Sequence, residues 1–150
     1  MYPGSLAQKI PDKPAYIMAA SGEVVTYGQL NDASNRAAQL FWSLGLRPGD
    51  HIAFCIENHP RFFEICWAAQ RSGLYFTAIS SRLTPTETEY IINDSEAKLL
   101  VTSAAKADLA QGLTGKCPGL KAKFMIDSVI EGYDSWEDAT GNQPAQPLAQ

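Results

Sequence analysis

The stretch nearest to a phosphate cradle is Gly112-Leu113-Thr114-Gly115-Lys116-Cys117. A Walker loop needs a glycine where Ala110 stands and a magnesium-holding hydroxyl where Cys117 stands, and it follows a strand rather than a helix. The stretch therefore reads as a flexible loop. Ser103-Ala104-Ala105-Lys106 has the S-x-x-K spacing of serine acyl-transfer enzymes, but nothing resembles the partner motifs; a serine N-cap with an exposed lysine explains it. Asn93-Asp94-Ser95 matches a glycosylation sequon, which matters only in a secreted chain.

His51 and His59 are the two histidines, and neither shows metal-ligand spacing with a cysteine or belongs to a recognisable triad. Both read as structural or solvated. Cys55 and Cys66 lie in apolar runs as small hydrophobes, while Cys117 sits in a loop with no adjacent base to activate it. Trp42 and Trp67 read as packing residues on helices. Asp94 and Glu96 straddle a helix end. Asp127 follows a strand, where α/β folds place functional groups, but no second acid is expected at a matching strand end, so it reads as solvated. The sequence supports no catalytic residue and no metal site. Arg82 stands between a strand's carboxyl end and the helix cap Thr84. Unpaired N–H groups and the dipole at that helix start favour an anion, to which the guanidinium adds charge. The alternative is a surface arginine covering the strand end.

The elements that would hold these residues alternate. Residues 14–20 and 24–26 flank Ser21-Gly22 and read as a hairpin. Thr26 with Gln29 forms a capping box for a helix. Its Leu30, Ala33, Ala37, Leu40, Phe41 and Leu44 share the inner face; Asp32, Asn35, Arg36, Gln39 and Ser43 share the outer one. Gly45 ends it and Arg47-Pro48-Gly49-Asp50 turns. Residues 51–56 form a buried parallel strand, and Asn58 caps a deeply packed helix through Phe62, Phe63, Ile65 and Trp67 that stops at Gly73. Residues 74–79 form the next strand. Thr84, Pro85 and Glu87 open a helix with Tyr90, Ile91 and Ile92 inward. Then come a strand at 98–101, a helix at 103–113, a strand at 123–126 and a short helix opened by Ser135. The expected fold is α/β: a layered, mainly parallel sheet with helices on both faces, preceded by a small N-terminal hairpin.

The 150 residues suffice for one domain, 45% apolar and 19% charged, an ordinary globular composition. Twelve basic against 16 acidic residues leave a net charge of -4 with no basic run, which argues against a nucleic-acid partner. No apolar run exceeds residues 65–69, too short for a transmembrane segment, and Met-Tyr-Pro-Gly-Ser does not open a signal peptide. Three widely spaced cysteines suggest free thiols in a reducing compartment, hence a cytoplasmic location. Residues 142–150 are rich in Pro and Gln and read as a linker after a unit spanning 1–141.

Thr26-Tyr27, Leu30, Ser34-Asn35-Arg36, Ala38 and Leu40 resemble the T-Y-x-x-L…N-R-x-A signature of adenylate-forming acyl-CoA synthetases. Gly45-Leu46-Arg47-Pro48-Gly49-Asp50-His51-Ile52-Ala53 resembles that family's G-L-x-x-G-D-x-V-A step. Asn58, Phe63-Glu64, Ala68, Arg71-Ser72-Gly73, then Ile79-Ser80-Ser81-Arg82-Leu83-Thr84, Glu87, Tyr90-Ile91-Ile92 and Asp94-Ser95 continue in register. The likeness covers residues 10–105, and Gln70-Arg71-Ser72-Gly73-Leu74-Tyr75-Phe76 is similar to the fatty-acid and aromatic-acid CoA ligase branch.

The resemblance implies an ATP-dependent carboxylic acid–CoA ligase, with a fatty acid as substrate, working through an acyl-adenylate. ATP, Mg2+ and coenzyme A would serve the complete enzyme. The family's phosphate loop, ribose-binding acid, magnesium-binding glutamate and C-terminal lysine do not occur here. The chain then reads as the N-terminal subdomain, inactive alone, binding no cofactor tightly and leading at residues 142–150 toward the phosphate loop. Its partners would be the acid substrate and the remainder of the ligase, with self-association through exposed apolar surface. The resemblance also sets Arg82 where coenzyme A phosphates approach. The alternative is a stand-alone, non-catalytic binding module derived from that subdomain.

Overall fold

The computed structural model describes residues 3–149; Met1 and Tyr2 of the Met-Tyr-Pro-Gly-Ser stretch and Gln150 of the tail lie outside the described residues. A first helix, α1 (Pro3–Lys9), is not anticipated by the sequence pattern. β1 (Pro14–Ile17) and β2 (Val24–Thr26) pair antiparallel as the hairpin. Thr26 then caps α2 (Tyr27–Ser43) with the full capping box to Gln29. Gly45 (φ 84) ends α2 in the left-handed region, and Leu46 N–H returns to Phe41 O at 3.1 Å, which satisfies the helix's last carbonyls.

β3 (His51–Cys55), α3 (Phe62–Arg71), β4 (Tyr75–Ala78), α4 (Pro85–Asp94) and β5 (Leu99–Ser103) follow. Asn58 does not cap α3. The helix starts after Pro60, with Arg61 at the N-cap and no side-chain bond, because the residue before a proline is driven out of helical backbone. At Thr84 the expected box with Glu87 is present. The helix expected over 103–113 breaks into a 3₁₀ turn (Ala104–Lys106) and α5 (Ala107–Gly112). Ser103 still belongs to the strand ladder opposite Ile126, and its hydroxyl is used elsewhere, so no cap forms. β6 (Ala122–Ile126), β7 (Asp134–Ser135) and α6 (Trp136–Gly141) complete the order, α6 being capped by Ser135.

The main sheet is parallel throughout, in the order β4-β3-β5-β6-β7. The α/β layering with a hairpin ahead of it is thus as expected. The fifth strand of the sheet is β7, two residues that no periodicity could signal. Alternate strand residues feed two cores. Ile52, Phe54, Leu99, Val101, Phe124 and Ile126 meet α2, α3 and Trp136 of α6; Ala53, Cys55, Leu100 and Met125 meet Ile92 of α4 and Leu109 and Ala110 of α5.

Several side chains depart from their expected faces. Asn35 is buried in α2 while Leu44 is exposed; Tyr90 and Phe63 are also exposed, so α3 is covered on one side only. Trp42 is not a packing residue: it is exposed beneath the Arg47 guanidinium, 3.8 Å from the ring centroid. Cys117 is buried, and burial raises its thiol pKa, which ends its candidacy as a reactive loop thiol. No described helix is long and apolar enough to cross a membrane.

Candidate functional site

In an open parallel sheet the crevice lies at the carboxyl ends of strands where the winding reverses. Here the chain leaves β3 for β4 on one side and returns to β5 on the other. The reversal therefore falls between β3 and β5. Glu57 follows β3, Ser103 ends β5 and Asp127 follows β6, so parallel pairing alone brings three polar side chains to one edge.

These groups are linked. The Ser103 hydroxyl, fully buried, donates to Glu57 Oε2 and ties β5 to β3. His59 Nε2 lies 2.9 Å from Asp127 Oδ2, spanning the end of β5 to reach β6. Arg61 N–H points at His59 Nδ1 at 3.1 Å. Asp127 has φ 69, an uncommon conformation for a residue with a side chain, and its N–H donates to Glu137 Oε1 at 3.1 Å. Arg61 reaches Glu137 at 3.3 Å and Glu64 at 3.1 Å. Glu64 is buried and accepts from Trp136 Nε1 at 2.8 Å; burial outweighs both donors and pushes its carboxyl above the ordinary range. An open cavity of ≈ 510 Å³ lies over this edge, lined by Tyr16, Val24, Gln29, His59, Arg61 and Asp127 among others.

Glu57, His59 and Asp127 have potential ligand atoms within 4.8 Å of one another, which raises the question of a magnesium site. The residues do not fit one. With Arg61 N–H directed at Nδ1, the ring proton of neutral His59 sits on Nε2, which donates to Asp127 and has no lone pair to offer. Magnesium also prefers six oxygen ligands. A phosphate cradle fits no better. A Cβ added at Gly112 would stand 2.9 Å from Pro85 Cβ, so that glycine packs α5 against α4 rather than admitting a phosphate.

Two other residues with chemical potential in the sequence, His51 and Asn93, take structural roles. His51 contacts the Thr77 hydroxyl at 3.1 Å across the β3–β4 pair. Asn93 Nδ2 donates to Lys116 O. Arg82 is exposed on the link from β4 to α4, and its N–H donates to Ser80 Oγ at 3.4 Å. The Thr84–Glu87 box takes up Thr84 N–H and Glu87 N–H, and Pro85 has none, which leaves Thr86 N–H for an anion in that first turn. Glu57 and Glu137 lie in no motif of the sequence, and Glu64 lies in the Phe63-Glu64 pair of the resemblance without a role attached to it. The expectation that no second acid stands with Asp127 is overturned by Glu57, which the same test, an acid just past an apolar strand, would have found.

The AMP-binding enzyme family model matches residues 5–149. The chain belongs to this family. Crotonobetaine/carnitine–CoA ligase of Escherichia coli O1:K1 is 34% identical over 148 residues, covering 93% of this chain and 28% of the ligase. That of Shigella flexneri serotype 5b (strain 8401) is 41% identical over 148 residues, covering 93% of this chain and 29% of the ligase. The N-terminal domain of FACL13 from Mycobacterium tuberculosis superposes with a TM-score of 0.87 at 22% identity, covering 99% of this chain and 36% of that one, a likeness of fold. This family member thus corresponds to the N-terminal part of an AMP-binding acyl-CoA ligase, as the motifs imply. The chain spans about 28% of the length of the curated relatives it matches.

Proposed function

We propose that this chain supplies the N-terminal subdomain of an ATP-dependent carboxylic acid–CoA ligase that works through an acyl-adenylate. The observation carrying this reading is the family match over residues 5–149. ATP, Mg2+ and coenzyme A serve the complete enzyme, and the described residues build neither a phosphate cradle nor a magnesium site. What this part contributes is the parallel sheet and its hydrogen-bonded carboxyl edge. Residues 1–141 form the subdomain and residues 142–150 lead toward the phosphate loop. The wording of residues 70–76 favours a fatty acid, whereas the curated relatives are named for crotonobetaine and carnitine.

Arg82 is assigned to the coenzyme's phosphates, beside Thr86 N–H. The three free cysteines agree with a cytoplasmic location. Alone, the chain lacks the positioning and charge stabilisation that adenylation needs. Incubated with ATP, labelled pyrophosphate and a panel of fatty acids and carnitine, it is expected to give no exchange above buffer. Acid-dependent exchange by this chain, purified free of host ligases, overturns the assignment of adenylation to the rest of the enzyme.

A further inference from the structure

We infer that α2 carries a clamp for main-chain carbonyls, built from Asn35, Arg36 and Gln39, whose partner is the proline-flanked segment 143–147. The inference stands apart from the ligase reading. Arg36 Nη1 donates to Gln143 O, Asn35 Nδ2 donates to Ala145 O at 3.2 Å, and Gln39 Nε2 donates to Gln146 O at 2.9 Å and Pro147 O at 3.2 Å. The segment thus advances from the Asn35–Arg36 turn of the helix to Gln39, one turn on. Every one of these bonds ends on a main-chain carbonyl.

The segment is suited to be held this way. Pro144 and Pro147 have no N–H, and the backbone bends at Gln143, Ala145 and Gln146 outside any helix or strand, which leaves the segment's carbonyls free to accept from α2. The side chains of Pro144, Gln146 and Pro147 face solvent and are not read, while Leu148 packs against the core beneath α2. Asn35 adds an independent sign. It is 1% exposed, its Nδ2 serves the segment, and its Oδ1 has no hydrogen-bond partner. A buried amide with one unsatisfied end costs stability, and contact with the segment is what its other end provides.

The clamp makes an asymmetric prediction: changing α2 releases the segment, and changing the segment's side chains does not. The measurement is the heteronuclear 15N NOE and order parameter of the Ala145, Gln146, Leu148 and Ala149 amides in the 150-residue chain. In the unaltered chain these amides are expected near the rigid limit, an order parameter of about 0.85. Gln39→Ala, a partly exposed helix position where alanine is the better helix former, should keep the fold and lower Gln146, Leu148 and Ala149. Arg36→Ala with Gln39→Ala should bring all four amides below about 0.6, the flexible range, with the β5 amides unchanged. Gln146→Ala should leave every value as it was. Mobile amides in the unaltered chain, rigid amides in the folded double variant, or equal release by Gln146→Ala would each overturn the clamp.

Discussion

Glu64 is a buried carboxyl held by two donors. It joins α3 to α6 through Trp136 and to the sheet edge through Arg61. Glu64→Ala leaves the buried Trp136 N–H without an acceptor, at a cost of about 1–3 kcal/mol, readable as a lower urea midpoint. Burial holds the folded carboxyl above its ordinary pKa. Once pH exceeds about 4.3, the unfolded carboxyl has lost its proton while the folded one keeps it. The folded chain then binds more protons, and stability falls as pH rises, until the folded carboxyl ionises too. Glu64→Gln keeps an acceptor for Trp136 and removes the titration. The stability difference between this variant and the parent should therefore shift toward the variant as pH rises through that window; a pH-independent difference would place the ionised form in the fold at no cost. At Arg82, loss of a charged phosphate contact in the complete enzyme should weaken coenzyme A by about 1.5–3 kcal/mol, or roughly ten- to 150-fold. Arg82→Ala should raise KM for coenzyme A while adenylation is little changed. Equal damage to both steps would make Arg82 a surface residue beside a helix cap.

Among the elements, helix starts were legible because capping is local chemistry. Thr26 with Gln29, Thr84 with Pro85 and Glu87, and Ser135 each declare a start within four residues, and all three are observed. Asn58 misleads because a helix capped there needs His59 in helical backbone, and His59 precedes Pro60. Thr84→Ala should therefore cost about 0.5–2 kcal/mol, whereas Asn58→Ala should stay within about 0.5 kcal/mol. Paired urea titrations decide it, and equal effects would contradict the observed caps. The sheet edge was not legible in the same way. Glu57 meets Ser103 across 46 positions and His59 meets Asp127 across 68, so their pairing follows from strand order, which no local signal carries. β7 has two residues, too few to show a strand period. Helical period sets Asn35 on the outer face, yet it is buried.

At the scale of the whole molecule, the described residues leave large apolar side chains exposed. β4 is an edge strand with Tyr75 65% exposed, and Ile17, paired with Val24 across the hairpin, is 60% exposed. A short edge with neither lysine nor proline is open to further pairing. Light scattering over a concentration series should show a mass above the monomer's 16.3 kDa; a monodisperse monomer at high concentration would contradict this. As the proposed N-terminal portion of an adenylate-forming ligase, this fold should complete one when joined to the remainder. The most direct test is acid-dependent ATP–pyrophosphate exchange by a chimera. In it, this chain replaces the matching stretch of the curated relative that is 34% identical to it. The chimera should exchange in the presence of the relative's acid substrate, under conditions where this chain alone does not. A chimera that folds, shown by a cooperative thermal transition, yet gives no exchange would contradict the claim.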